Sequence, residues 1–100
     1  MTKLIEKNME QITTLCRRYK VRSLSVFGSI LTPRFNQNSD VDLVVDFEDV
    51  APADYADNYF SFKHELEDLF ERPVDLVERP AIRNSVFLNN INRTKQLIFG

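Results

Sequence analysis

Apolar residues recur at Ile5, Met9, Ile12, Cys16 and Tyr19, in steps of four and three, with Leu4 and Leu15 flanking the stripe. That period predicts an amphipathic helix over residues 3–19. Arg17, Arg18 and Lys20 at its end suit the negative pole of the helix dipole and read as solvated charges. Val21 to Phe27, with Leu24 and Val26 among serines, reads as a strand that ends at Gly28. Ile30 to Ser39 holds Pro33, two asparagines and a glutamine, which predicts a short turn or helix followed by a loop. From Asp40 the pattern alternates: Val41, Leu43, Val45 and Phe47 on one side, Asp40, Asp42 and Asp46 on the other, with Val44 among them. Period two means a half-buried strand.

A second helix is predicted from Asp54 to Glu71, where Tyr55, Tyr59, Phe62, Leu66 and Leu69 repeat at helical spacing. That stripe reads as core, and His64 beside it as solvent-facing. Pro73 to Glu78 forms a third short strand, with Val74 and Leu76 on one face and Asp75 on the other. Pro80 opens a last helix over roughly residues 82–92, since proline suits a first turn. Lys95 to Phe99 reads as a short apolar tail or strand end. The order helix, strand, strand, helix, strand, helix predicts an α+β fold, a small mixed β-sheet with helices packed on one face. Residues 1–100 read as one domain.

Composition narrows the partners more than the fold. The chain is 43% hydrophobic and 28% charged, which places it among ordinary globular proteins rather than disordered ones. A net charge of −2 gives no general attraction to nucleic acid or to an anionic membrane. Any polyanion bound here needs local cations or a metal. Cys16 is the single cysteine, so neither a disulfide framework nor a cysteine zinc cluster can form within the chain. No apolar run approaches the roughly 20 residues needed to span a bilayer, and the polar start MTKLIEKNMEQ lacks a signal-peptide pattern. A cytoplasmic protein is the expectation.

The candidate chemistry lies between Phe27 and Asp46. Gly28-Ser29 is followed by ten residues and then Asp40-Val41-Asp42. Carboxylates at i and i+2 of a strand project from the same face and repel, so one takes up a proton unless a cation neutralises them. Magnesium is the natural cation, because it is hard and is held by one or two carboxylates together with phosphates and water. Asp75, the inward polar residue of the third strand, could complete a site for two ions, roughly 3.5–4 Å apart, that clamp the oxygens of an in-line phosphoryl displacement. Gly28 lets backbone approach a ligand closely. A turn beginning at Ile30 would aim free N–H groups at an anion. The Ser29 hydroxyl, the loop asparagines and Arg34 could assist with a triphosphate.

This conjunction resembles the minimal nucleotidyltransferases of the DNA polymerase β superfamily over nearly the whole chain. The motif is Gly28-Ser29, a spacer and Asp40-Val41-Asp42, with the third carboxylate at Asp75. The resemblance implies Mg2+-dependent transfer of a nucleoside monophosphate from ATP or another nucleoside triphosphate to an acceptor hydroxyl. In that reading Asp40 and Asp42 bind both ions, Asp75 binds the catalytic ion and helps activate the acceptor, and Gly28-Ser29 holds the triphosphate tail. Relatives usually continue with a small residue and Arg-Gly; here Thr32 stands at the arginine position, and Arg34 is the nearest substitute. Stand-alone chains of this size resemble the antitoxin of toxin–antitoxin pairs, whose HEPN toxin partner is neutralised by binding and by AMP placed on a tyrosine. The alternative is a binding module that neutralises or scaffolds a partner without turnover.

Overall fold

A computed structural model of the protein describes residues 2–79 and 85–100. Its helices are α1 (Lys3–Lys7), α2 (Met9–Arg18), α3 (Pro52–Phe70) and α4 (Ser85–Thr94). The strands are β1 (Val21–Phe27), β2 (Val41–Phe47), β3 (Val74–Glu78) and β4 (Gln96–Phe99), with a 3-10 turn over Gly28–Leu31. The first helix is therefore two. Asn8 interrupts it by turning its side-chain amide onto the Leu4 carbonyl at 2.9 Å, the local competition that makes asparagine a poor interior residue. The apolar stripe survives the break, with Ile5, Ile12 and Cys16 fully buried. Burial pushes the Cys16 thiol up to about 12, which leaves it an inert core group.

The strands form one mixed sheet in the order β3-β2-β1-β4. β1 runs antiparallel to both β2 and β4, and β2 runs parallel to β3. A parallel pair needs a crossover, which α3 supplies. Proline at the start of α3 begins it two residues before the expected Asp54. The helix ends at Phe70, where Glu71 adopts a left-handed φ of 55°.

The strand parity read from the sequence is the parity of the fold. Val41, Leu43, Val45 and Phe47 join Ile12, Phe62, Leu66 and Phe70 in the main core. In β1, a register shift between Val21 and Ser23 returns Val21, Leu24 and Val26 to that same side, as a β-bulge does. Tyr55 and Tyr59 are half-buried at the core edge, and their hydroxyls reach the Glu78 carboxylate and the Leu76 carbonyl. His64 is exposed, as expected. Tyr59→Phe removes one side chain–backbone hydrogen bond that ties α3 to β3. It is expected to lower unfolding free energy by about 1 kcal/mol, read from the urea midpoint at unchanged slope.

Helices α1 to α3 cover one face, as the alternation predicts. α4 departs from that expectation: its Ile91 is buried with Phe27 and Val44 on the opposite face, and Val77 packs against them. Val44, the apolar residue among the aspartates of β2, is what receives it. The predicted start of this helix at Pro80 and Ile82 lies outside the described residues; its described part runs to Thr94, two residues beyond the expected end. The tail pairs as β4 against β1. Among the described residues, no helix is long and apolar enough to cross a membrane.

Candidate active site

The site is assembled at one end of the sheet by strand register. Phe27, the last residue of β1, pairs with Asp42 of β2, so the turn that follows lies against the Asp42 side chain. Gly28 has a φ of +77°, and a Cβ built there would stand 2.3 Å from Asp42 Oδ2. Glycine is thus required twice, for its backbone conformation and for the space the carboxylate occupies. The next residue closes the arrangement: the Ser29 backbone N–H donates to the Asp42 carboxylate.

On its other side, Asp42 pairs with Asp75 in the parallel β2–β3 register. Adjacent strands are about 4.8 Å apart, so the two carboxylates share a face as neighbours. Asp40 sits two residues earlier, at the mouth of β2. Burial raises the Asp42 carboxyl above its ordinary value, the Asp75 charge adds to the rise, the Ser29 N–H opposes it, and Asp40 contributes the remainder. Asp42 is half-buried while Asp40 and Asp75 are exposed. Asp75 therefore looks outward, contrary to the inward placement expected for it, because β3 gives its core side to Val74 and Leu76.

Among the described residues, no three acidic, histidine or cysteine side chains converge to metal-ligand spacing. The register that makes Asp42 and Asp75 neighbours belongs to the backbone. All three groups are hard oxygen donors. The charge penalty carried by Asp42 is one that a divalent cation relieves. The donor set fits magnesium.

The expected anion cradle is altered in one respect. The 3-10 turn begins at Gly28 rather than Ile30, and the Ser29 N–H faces Asp42 instead of open solvent. The Ser29 carbonyl accepts from the Thr32 N–H at 2.9 Å and from Thr32 Oγ1 at 2.8 Å. Thr32, where the resemblance to the family led to an arginine being expected, thus closes its own turn. Arg34 is exposed, and its backbone N–H joins the turn through Thr32 Oγ1 at 3.3 Å. A cleft of about 520 Å³ opens beside the turn, lined by Gly28, Leu31, Thr32, Thr94 and Gln96. A larger hollow of about 600 Å³ lies between α2 and α3 and touches none of the candidate residues. Sequence reasoning missed Arg72, which reaches across to the spacer loop before Asp40; it belongs to no motif, and no spacing marks it.

Comparison with known proteins places the chain in a family. A protein adenylyltransferase, MntA, of Thermococcus cleftensis is 31% identical, covering 86% of this chain and 89% of its own. Among solved structures, one assigned as a minimal nucleotidyltransferase superposes with a TM-score of 0.77 at 25% identity, covering 95% of each chain. A chain from the complex of an MNT antitoxin with a tri-AMPylated HEPN toxin of Shewanella oneidensis shares the fold, with a TM-score of 0.66 at 19% identity over 95% of this chain and 71% of that one. Residues 10–100 match the family described as polymerase beta, nucleotidyltransferase. The chain belongs to that nucleotidyltransferase family.

Proposed function

We propose that residues 1–100 act as one domain, a magnesium-dependent protein adenylyltransferase. It transfers AMP from ATP to a tyrosine hydroxyl of a HEPN-type helical toxin and so serves as its antitoxin, in the cytoplasm where both ATP and magnesium are abundant. The observation that carries this reading is the Asp42 carboxylate, held between the Gly28–Ser29 turn and its register partner Asp75. The kinship with MntA and the AMP-bearing toxin of the Shewanella complex support the choice of AMP and of the partner.

In this reading Asp40, Asp42 and Asp75 would hold two Mg2+ ions, and these would supply positive charge to the reacting triphosphate. Gly28 keeps the turn clear of the Asp42 carboxylate, and the Ser29 N–H fixes its rotamer. The Ser29 hydroxyl and the Arg34 guanidinium hold the triphosphate tail. Asp75, exposed on its edge strand, faces the incoming hydroxyl and takes its proton. The oxygen of that hydroxyl bonds to the α-phosphorus while the bond to pyrophosphate breaks, with inversion in line. Incubation with labelled ATP, Mg2+ and the helical partner is expected to label the partner. Absence of label, with Asp42→Asn indistinguishable from wild type, overturns the proposal.

One observation favours a binding module instead. Thr32 commits its hydroxyl to its own turn, so the position that usually supplies a guanidinium does not. If turnover is dispensable, the Asp40→Asn/Asp42→Asn double variant neutralises the partner as well as wild type does. On the catalytic reading, that variant loses protection.

A further inference from the structure

We propose that Arg72 is a positioning residue for the carboxylate site, fixing where Asp40 enters β2; the inference rests on the metal-binding role given above to Asp40, Asp42 and Asp75. Arg72 lies between α3 and β3. Its Nη1 donates to the Asn36 carbonyl at 3.0 Å and to the Ser39 carbonyl at 3.1 Å. The guanidinium carbon sits 4.6 Å from the centre of the Phe35 ring, a cation–π distance. One side chain therefore touches the spacer loop at three points, and one of them, Ser39, immediately precedes Asp40.

The segment it holds is already a compact turn. The Ser39 N–H donates to the Asn36 carbonyl at 3.1 Å, the Asn36 N–H to Ser39 Oγ at 3.1 Å, and the Asn38 N–H to Asn36 Oδ1 at 2.8 Å. Arg72 clamps this turn to the C-terminal end of α3, where its own N–H bonds the Glu67 carbonyl at 3.3 Å. One residue on, the Pro73 carbonyl accepts from the Val41 N–H at 3.1 Å, and the paired register of β2 and β3 begins. Arg72 and Pro73 together bring the mouths of the two carboxylate-bearing strands into one place.

Such an anchor is needed because Asp40 is repelled by Asp42 and stands at the end of an exposed polar loop. A free loop would relax by carrying Asp40 away into solvent. Stability alone does not explain the choice of residue. Arg72 Nε is buried without a hydrogen-bond partner among the described residues, and a buried unpaired donor is a destabilising feature. The compensation is a fixed backbone position for Asp40, at the mouth of the strand that carries Asp42. Residues that orient metal ligands without touching the metal commonly change affinity by about 10–100-fold when replaced.

The test is a titration of the whole protein with Mn2+, following free Mn2+ by electron paramagnetic resonance, with adenylyl transfer and thermal melting measured alongside. Arg72→Met keeps an apolar cover on Phe35 and removes both carbonyl bonds and the orphaned donor. It is expected to bind Mn2+ about tenfold more weakly, to recover transfer rate as Mn2+ is raised to saturation, and to exchange the Ser39 and Asn38 amides faster. Its melting temperature is expected to stay at or above that of wild type. Arg72→Lys, which restores a cationic donor, recovers most of the Mn2+ affinity and serves as the decisive variant if the methionine protein does not fold. Wild-type Mn2+ affinity in the folded methionine variant, or none regained with lysine, overturns the inference alone. A wild-type protein that binds no Mn2+ overturns both the inference and the metal reading beneath it.

Discussion

Asp42→Asn is expected to reduce AMP transfer by about 10³-fold or more, the scale of losing several kcal/mol of charge stabilisation at a phosphoryl centre. The same substitution is expected to raise the melting temperature of the metal-free protein at neutral pH. The two effects have one cause. Burial, Asp75 and Asp40 raise the Asp42 carboxyl in the folded state above its ordinary value of 3.8, so the folded chain holds that proton more tightly than the unfolded chain does. The contribution of such a group to stability is fully present below the unfolded value and is lost as pH rises through the folded one. Above that window the ionised carboxylate works against the metal-free fold. Asparagine removes the charge and still accepts from the Ser29 N–H. The difference in melting temperature between variant and wild type should therefore grow as pH is raised from about 3.8 and then level off. Mn2+ should stabilise the wild type and leave the variant unchanged. A variant less stable than wild type at neutral pH without metal would refute this account of the site.

Gly28→Ala tests the other wall of the same clamp. A non-glycine residue forced to positive φ costs about 1–3 kcal/mol, and the added Cβ would lie 2.3 Å from Asp42 Oδ2. The carboxylate has to rotate away, because backbone on either side is fixed by the β1–β2 register. The expected loss of about 2 kcal/mol corresponds to roughly 8–16 °C in melting temperature for a domain of this size. A displacement of about 1 Å in a catalytic group commonly lowers rate about 10²-fold, and Gly28→Ala should show at least that. Ser29→Ala is the control. It deletes the hydroxyl but keeps the N–H that holds Asp42, so its rate should fall by less than about tenfold, the weight of one hydrogen bond. A Gly28→Ala protein that is destabilised yet fully active would show that the turn supports the fold without orienting Asp42.

The two variants also separate the proposed chemistry from simple binding. Neither side chain has to meet a helical partner for neutralisation without turnover, so a binding module tolerates both. A protein adenylyltransferase tolerates neither. Toxin neutralisation and AMP transfer should be measured on the same preparations, so that a loss of protection can be matched to a loss of transfer.

Periodicity and residue chemistry reach a long way in this chain. The alternation from Asp40 to Phe47 determined β2, its two faces and the shared side of Asp40 and Asp42, because side chains of a strand have a period of two whatever they pack against. The helical stripe around Phe62 and Leu66 determined α3 for the same kind of reason. The aspartate spacing and Gly28-Ser29 were legible as candidate chemistry because short motifs are local. Where local rules compete, periodicity alone is insufficient: Asn8 divides the first helix by bonding Leu4, and Val44, a lone apolar residue on the polar side of β2, does not reveal that α4 covers it.

Contacts between residues distant in the chain were decided by the tertiary structure alone. No pattern within β1 or β2 states that Phe27 will stand opposite Asp42, and hence that Gly28 is a glycine because of a carboxylate fourteen positions later. Likewise, nothing near Arg72 announces that it will hold the turn before Asp40, since its hydrogen-bond partners there are backbone carbonyls, which every residue carries. Sequence by itself marked which residues are candidates for the chemistry. The fold decided which of them meet, because register and crossover set distances that residue types do not encode.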